Sequence, residues 1–300
     1  MKNTKEKSGI LYVVATPIGN LEDITYRAVK ILSQVEYIAS EDTRVTGKLL
    51  KLLNLKNKQK FISYFEGNET KRSSEICDLI ETGKSIAVVS DAGTPAISDP
   101  GRRVVSEAID RGIKIVPIPG VSAATTLYSV AGLNSNSFHF EGFLPVKKQH
   151  RHERLMYIKS LKEPCIIYEA PHRIIKTLKD LLNYYEPNSK IVIARELTKL
   201  HEEIFQKTIK ETLEYFENTK PIGEFSLIIN ISEDYKQEFF FNINALLIEQ
   251  IKKLANMNLS PKTISSILVI FHKIPKREIY NLSLEYINKN QKSPDKTQKK

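Results

Sequence analysis

The chain has 300 residues, which is long enough for two domains and a small third unit. Its hydrophobic fraction of 41% and charged fraction of 27% are ordinary for a globular protein. No apolar run approaches the roughly 18 residues of a membrane span, and the first residues lack the apolar core of a secretory signal. The two cysteines, Cys77 and Cys165, are too few for a disulfide framework or a four-thiolate zinc site. We therefore expect a cytoplasmic protein without a membrane segment or a metal centre.

The formal net charge of +10 is concentrated at the two ends of the sequence. Residues 1–8 carry a net charge of +2, and residues 289–300 carry +4. Both tails lack apolar side chains that could be buried, so we expect them to be disordered. A role in binding a polyanion is the functional alternative for these tails.

Strand and helix patterns alternate through residues 10–121. Apolar runs predict strands at 10–15, 37–39, 60–64, 86–90 and 113–117. Helical spacing of apolar residues predicts helices between these strands, and the Asp99-Pro100 pair is read as the N-cap and first residue of the fourth helix. Because this repetition produces parallel strands, we expect residues 10–121 to form a mostly parallel α/β domain.

The pattern changes after residue 121. A helix near 122–131 and one opened by Pro171 accompany strands at 138–143, 165–168, 190–194, 203–208 and 225–231. These elements predict a second α/β domain, residues 122–235, with a mixed sheet. Residues 240–288 are read as three short helices, the middle one starting at Ser260-Pro261. This third unit is either a helix-turn-helix-like module or a helical cap.

The glycines exclude two common nucleotide-binding motifs. No two of the twelve lie closer than eight positions apart, so the sequence contains neither G-x-G-x-x-G nor a P-loop. Loops rich in Gly, Pro and small polar residues nevertheless follow three predicted strands, at 15–25, 90–101 and 117–126. Open α/β sheets bind ligands beyond the carboxyl ends of their strands, so these loops predict a ligand site.

Ionisable side chains are also placed after predicted strands. They are the candidates for acid–base or anion-binding roles: Glu41, Asp42, Arg44, His172, Arg173, Arg195 and Glu196. A solvated turn is the alternative for residues 41–44, and a salt bridge is the alternative for Arg173. Asp91 and Asp99 stand where a carboxylate could meet a cationic or hydroxyl-rich ligand, although a capping role also explains Asp99.

Seven segments occur in order between residues 11 and 203: LYVVATPIGNLEDIT, ASEDTR, VVSDAGTPAISDPG, PIPGVSAA, FEGFLP, YEAPHR and ARELTKLHEE. Together they resemble the small-subunit ribosomal RNA cytidine 2′-O-methyltransferases, a branch of the tetrapyrrole (corrin/porphyrin) methylase superfamily. The resemblance implies the fold of that superfamily: a mostly parallel sheet, a second mixed sheet and a C-terminal helical unit. It also implies S-adenosylmethionine as cofactor and a homodimer acting on small-subunit (16S) ribosomal RNA or the assembled 30S subunit, near the decoding site.

The resemblance also assigns site residues by motif position. The implied cofactor-binding residues are Pro17, Asp91, Thr94, Ser122, Ala123, Glu169 and Leu197. The implied catalytic candidates are Glu41, Arg44, His172, Arg173, Arg195 and Glu196, among which the sequence does not select the general base. No cluster of residues suggests metal assistance.

RNA contacts are expected from two basic surfaces. The first comprises Lys147, Lys148, Arg151, Arg154 and Lys159, for which a solvated helix face is the alternative. The second lies on the C-terminal unit and comprises Lys262, Lys273, Lys276 and Arg277. Two other functions stay open: methylation of a tetrapyrrole, and nucleic-acid binding without catalysis.

Overall fold

A computed structural model describes residues 9–55, 58–161, 163–230, 246–272, 274 and 276–291. Contacts divide the chain into two compact units, residues 1–231 and 232–300, and each unit is described by itself. The predicted tail 1–8 and Lys273 lie outside the described residues. No helix in the described part of the chain is long and apolar enough to cross a membrane.

The first sheet of the first unit is fully parallel, as predicted. Its strands are β1 (Ile10–Val14), β2 (Tyr37–Ser40), β3 (Lys60–Ser63), β4 (Ile86–Val89) and β5 (Lys114–Ile118), in the order β3-β2-β4-β1-β5. Its helices are α1 (Tyr26–Gln34), α2 (Thr43–Leu52), α3 (Glu69–Glu81) and α4 (Arg102–Asp110). Strands β1 and β4 are neighbours in the sheet, but the chain continues from β1 to β2 on one side of this pair and from β4 to β5 on the other. The loops after β1 and β4 therefore diverge and leave a crevice at this topological switch point.

Alternating apolar faces explain why both sides of this sheet are covered. Val14, Ile38 and Val89 pack with α1 and α2 on one side. Leu11 and Val88 pack with α3 and α4 on the other. Strands buried on both faces read as near-continuous apolar runs, which is the signal that predicted them.

The second sheet is mixed, as predicted. Helix α5 (Ala123–Val130) precedes strands β6 (His139–Phe143), β7 (Cys165–Glu169), β8 (Lys190–Arg195), β9 (Glu203–Thr208) and β10 (Phe225–Ile229). Their order is β6-β7-β10-β8-β9, with only β6 and β7 parallel. Helices α6 (Lys148–Ser160), α7 (Ile174–Leu181) and α8 (Ile209–Asn218) complete the unit, and α8 was missed by the sequence analysis.

Two predicted helix starts were wrong. Helix α4 begins at Arg102 with Gly101 as its N-cap, so Asp99 is not a capping residue. Gly101 has a φ of +142°, and a Cβ there would lie 3.0 Å from the Ala96 nitrogen. Only glycine adopts this conformation readily, so the helix starts after it. Similarly, α7 follows the N-cap Arg173 and not Pro171, because residues 171–173 form a turn.

The second unit contains helical residues 246–256 (α9), α10 (Pro261–Phe271) and α11 (Lys276–Gln291). Ser260 caps α10 by accepting a hydrogen bond from the Thr263 nitrogen, with proline in the first turn as expected. Leu247, Ile264 and Ile279 join the three helices in one small core. Helix α11 extends to Gln291, past the predicted start of the tail at 289, and residues 292–300 lie outside the described residues.

Candidate active site

The three Gly- and Pro-rich loops meet at the carboxyl ends of β1, β4 and β5. Thr16 and Gly93 exchange two main-chain hydrogen bonds, which join the first loop to the second. The Thr94 hydroxyl donates to the Val121 carbonyl at 3.0 Å, which joins the second loop to the third. These contacts bring the three loops together at the edge of the sheet where the sequence analysis expected a ligand site.

These loops wall a cavity of about 320 Å³, which we call the switch-point cavity. This volume lies at the small end of the range of about 300–1,000 Å³ found for ligand pockets. The first sheet contributes Ile18, residues 92–94 and residues 97–99. Helix α5 and the second sheet close the opposite side. Their lining residues are Ser122, Ala123, Phe143, Tyr168, Glu169, Ala170, Pro171, Ala194, Leu197, Glu224, Phe225 and Ser226.

Five of the seven residues implied as cofactor-binding line this cavity: Thr94, Ser122, Ala123, Glu169 and Leu197. Pro17 and Asp91 are not among its lining residues, although Ile18 and Ala92, their chain neighbours, are. Asp91 instead accepts a hydrogen bond from the Asp42 nitrogen at 3.0 Å. It thereby links the ends of β4 and β2 beside the cavity.

The charge of the cavity wall suits a cationic ligand. Three of the lining residues, Asp99, Glu169 and Glu224, carry carboxylates, and none of the described lining residues is Lys, Arg or His. Glu224 also pairs with Lys199 at 3.1 Å, so Asp99 is the main source of negative charge in the wall. Burial raises the pKa of Asp99, and the nearby charge of Asp91 raises it further. Such a wall repels a polyanion, whereas a sulfonium or ammonium group would be stabilised there.

The sequence analysis offered a capping role for Asp99 beside its role as a carboxylate for a ligand. The structure favours the second, because Asp99 lines the cavity while Gly101 caps α4. Glu224 and Phe225, which also line the cavity, were missed entirely, since no motif marks them. The only signal available was their place just before and at the start of a predicted strand.

Glu169 contributes to the cavity in a different way from that expected of a carboxylate. Its side chain is 0% exposed and forms ion pairs with Arg173 at 3.0 Å and Arg151 at 3.8 Å. Thr177 donates its hydroxyl to the same carboxylate. The exposed atoms of Glu169 therefore belong to the main chain, and its charge is neutralised by the two arginines.

The catalytic candidates are dispersed around the cavity and do not line it. Arg173 pairs with Glu169, so it forms the salt bridge that the sequence analysis gave as the alternative to a catalytic role. Arg195 donates to the Ile222 carbonyl, and Glu196 accepts from the Glu224 nitrogen. These two residues hold the segment that carries Glu224. His172 is exposed, and the exposed Arg44 pairs with Asp42, the N-cap of α2.

Glu41 is the candidate with an unusual electrostatic environment. Burial raises the pKa of its carboxyl, and the neighbouring charges of Asp91, Asp99, Glu66 and Asp42 raise it further. Glu41 and the cavity-lining Asp99 therefore belong to one group of interacting carboxylates. Carboxylates with raised pKa values are better proton acceptors near neutral pH than ordinary ones. No group of His, Cys, Asp and Glu in the described residues could hold a metal ion.

The first basic surface is smaller than predicted, because two of its arginines have structural partners. Arg151 is buried and bonds to Asp180 at 2.7 Å and Thr177 at 2.6 Å, so its assignment to RNA contact was wrong. Arg154 pairs with the buried carboxylate of Glu141. Arg151, Leu155 and Ile158 share the buried face of α6 at positions i, i+4 and i+7, a spacing that was visible in the sequence.

Three lysines of that surface are exposed: Lys147, Lys148 and Lys159. Lys147 is the N-cap of α6, and Lys148 is its first residue. Lys159, in the last turn, donates to the Tyr184 carbonyl and lies over the Tyr185 ring. The available positive charge is therefore concentrated at the start of α6, four and five residues after the cavity-lining Phe143.

Residues 10–213 match the family described as Tetrapyrrole (Corrin/Porphyrin) Methylases, and the chain belongs to this family. It is a methyltransferase. It is similar over nearly its whole length to proteins named ribosomal RNA small subunit methyltransferase I. That of Synechocystis sp. is 41% identical over 277 residues, which cover 92% of this chain and 98% of the relative. That of Bacillus subtilis is 36% identical over 283 residues, covering 93% and 95%.

Solved structures share the fold. A cobalt precorrin-4 methyltransferase of cobalamin biosynthesis superposes with a TM-score of 0.56 and 18% identity, covering 74% of this chain and 96% of that one. A uroporphyrin-III C-methyltransferase from Thermus thermophilus, complexed with S-adenosylhomocysteine, gives a TM-score of 0.53 at 15% identity, covering 74% and 98%. At these identities the likeness concerns the fold alone.

Proposed function

We propose that this protein transfers a methyl group from S-adenosylmethionine to the 2′-oxygen of a cytidine in small-subunit (16S) ribosomal RNA, near the decoding site. The observation that carries the proposal is the division of charge. The switch-point cavity holds carboxylates and no cation among its described lining residues, whereas exposed lysines stand at the start of α6. A cationic cofactor fits the switch-point cavity, and an RNA backbone fits the exposed lysines.

The cavity residues fit the cofactor chemically. The carboxylate of Asp99 is available to its positive groups, with Glu224, which pairs with Lys199, nearby in the same wall, while the hydroxyls of Thr94 and Ser122 offer hydrogen bonds to its polar groups. Gly93, at a φ of +79°, lets the main chain approach, since a Cβ would lie 3.3 Å from Ile18 Cγ2. When bound, S-adenosylmethionine supplies a methyl group already activated by its sulfonium. The protein must then hold the acceptor oxygen in line, and positioning supplies about 7–11 kcal/mol.

We propose Glu41 as the general base for the 2′-hydroxyl proton. Its raised pKa and its electrostatic contact with the cavity-lining Asp99 support this choice. Arg173, Arg195 and Glu196 then act as residues that shape the cavity, because their charged groups already have partners. His172 keeps its candidate role toward the substrate because it is exposed, and Arg44 keeps its role because its ion pair with Asp42 is itself at the surface.

The remaining features of the proposal rest on the family resemblance. The protein acts in the cytoplasm as a homodimer, on free ribosomal RNA or the assembled 30S subunit. It comprises domains 10–121, 122–235 and 240–288. The C-terminal unit adds a second RNA surface through Lys262, Lys276 and Arg277.

The test uses purified protein, methyl-labelled S-adenosylmethionine and small subunits from a strain that lacks this protein. After digestion of the RNA, mass spectrometry is expected to find label in 2′-O-methylcytidine. Label on a base would contradict the proposed acceptor atom. Label only on an added porphyrin precursor would instead support a tetrapyrrole methylase, and no transfer to either would support a binding protein.

A further inference from the structure

The aromatic side chain of Phe143 is about half exposed to solvent and forms part of the wall of the switch-point cavity. Phe143 is 52% exposed and lines the cavity together with Tyr168. The two rings meet edge to face, with centroids 5.8 Å apart and an interplanar angle of 69°. Ligand pockets are lined mainly by apolar and aromatic side chains, so a half-exposed ring in the wall of this cavity offers an apolar face to a ligand that reaches the cavity mouth.

The main chain around Phe143 is held in place from both sides. Gly142, before it, has a φ of +73° at an irregularity in the β6–β7 pairing. Leu144, after it, is buried, and its carbonyl accepts a hydrogen bond from Arg173 at 2.5 Å. Arg173 is itself fixed by the buried carboxylate of Glu169. The exposed ring is therefore presented by an ordered segment and needs little rearrangement to bind a planar group.

Positive charge follows the ring directly along the chain. Val146 is 77% exposed, and the exposed Lys147 and Lys148 come next. The cavity itself carries no cation among its described lining residues. An anionic backbone is thus attracted beside the cavity and not into it, while a flat apolar group attached to that backbone can reach Phe143.

We propose that Phe143 is a substrate-binding residue that stacks on an unpaired pyrimidine of the RNA, the base of the nucleotide being methylated. This inference rests on the proposed function. The lysines hold the phosphates, the ring holds the base, and the ribose is left between them, facing the cavity. Stacking of one base on an aromatic side chain changes affinity about 5- to 150-fold.

The chain contains no tryptophan, so Phe143→Trp introduces a single fluorescent reporter. The variant is titrated with whichever RNA the wild-type protein methylates, transcript or small subunit, in the presence of S-adenosylhomocysteine. The identical titration of the wild-type protein is subtracted. We expect quenching by RNA and none by S-adenosylhomocysteine alone. Ile109→Trp is the matched control, because Ile109 is exposed near the end of α4, at the amino ends of the parallel strands. Its fluorescence is expected to stay constant.

Kinetics of two further variants separate stacking from a structural role. Phe143→Leu is expected to raise the KM for RNA about 5- to 150-fold and to change the affinity for S-adenosylmethionine far less, because leucine keeps an apolar wall at the cavity, and Phe143→Tyr is expected to restore the KM. Quenching by S-adenosylhomocysteine alone, or loss of cofactor affinity in Phe143→Leu, would assign the ring to the cofactor and overturn the inference. An unchanged KM in Phe143→Leu would also overturn it. After any of these outcomes, the proposed function would still stand as long as the wild-type protein methylates the RNA.

Discussion

Thr16 and Gly93 exchange a reciprocal pair of main-chain hydrogen bonds, with the Thr16 nitrogen 2.8 Å from the Gly93 oxygen and the Gly93 nitrogen 3.0 Å from the Thr16 oxygen. The Thr16 hydroxyl also donates to the Ser90 carbonyl at 3.1 Å. This small bridge closes the crevice between β1 and β4 on one side. It fixes the loop that carries Ala92, Gly93 and Thr94 against the cavity.

The first prediction concerns Gly93. Gly93→Ala is expected to lower S-adenosylmethionine affinity several-fold, because its Cβ would lie 3.3 Å from Ile18 Cγ2 and would displace the loop that lines the cavity. Calorimetry measures the affinity. The control is Gly112→Ala, which shares a positive φ of 67° but has open space around its Cβ. It is expected to lose stability and keep its affinity; equal affinities in the two variants would remove Gly93 from the site.

The second prediction compares two carboxylates. Asp99→Asn is expected to reduce S-adenosylmethionine affinity about 10- to 150-fold, since a charged hydrogen bond contributes about 1.5–3 kcal/mol. Asp91→Ala is also expected to weaken binding, but indirectly, by freeing the Asp42 nitrogen. Calorimetry on both variants, with circular dichroism as the check on folding, decides their roles. Full affinity in Asp99→Asn would place the cationic group elsewhere.

The third prediction concerns the exposed lysines at the start of α6. Each phosphate contact contributes roughly 0.7–0.9 to the salt slope of log K, so Lys147→Ala with Lys148→Ala is expected to flatten the slope by about 1.4–1.8. RNA binding is measured between low and moderate salt. Lys179→Ala on α7 is the control, because Lys179 pairs with Glu217. A slope equal to that of the wild-type protein would show that the two lysines are only solvated.

The fourth prediction separates the buried arginine from those lysines. Arg151→Met is expected to lower the free energy of unfolding by about 3–5 kcal/mol, because it removes the buried partner of Asp180 and one of the two arginines that neutralise Glu169. Urea denaturation measures this difference. Arg44→Met, which removes an exposed ion pair, is expected to change stability little. If Arg151→Met were equally stable but bound RNA weakly, the original assignment of Arg151 to RNA would return.

The fifth prediction concerns pH. The proposed role of Glu41 as general base requires its carboxylate to be ionised, so kcat/KM is expected to fall as the pH drops through its pKa, which lies above the ordinary value of 4.5. Glu41→Gln is expected to lose about 100- to 10,000-fold in rate and to abolish this acid limb. Glu36→Gln, which removes a carboxylate paired with Lys84, serves as the control. An acid limb that survives in Glu41→Gln would assign the base to another group.

Local patterns in the sequence determined the elements and the place of the site. Apolar runs and helical spacing predict strands and helices wherever one face must be buried, and parallel strands bring their following loops to one edge. The loops at 15–25, 90–101 and 117–126 could therefore be assigned to one site. Seven motifs in register indicated the family, and the match over residues 10–213 confirmed it.

The tertiary structure alone decided which side chains face the ligand. Asp99 lines the cavity because Gly101, with its positive φ, delays the start of α4. The Glu169 carboxylate does not face the ligand, because Arg151 and Arg173 pair with it from two different elements. The Arg151–Glu169 pair joins two separate elements, and the direction in which each of these side chains points depends on packing that no local pattern contains. The sequence could place charged residues at the strand ends, but only the packed fold divides them into those that meet a ligand and those that hold the site together.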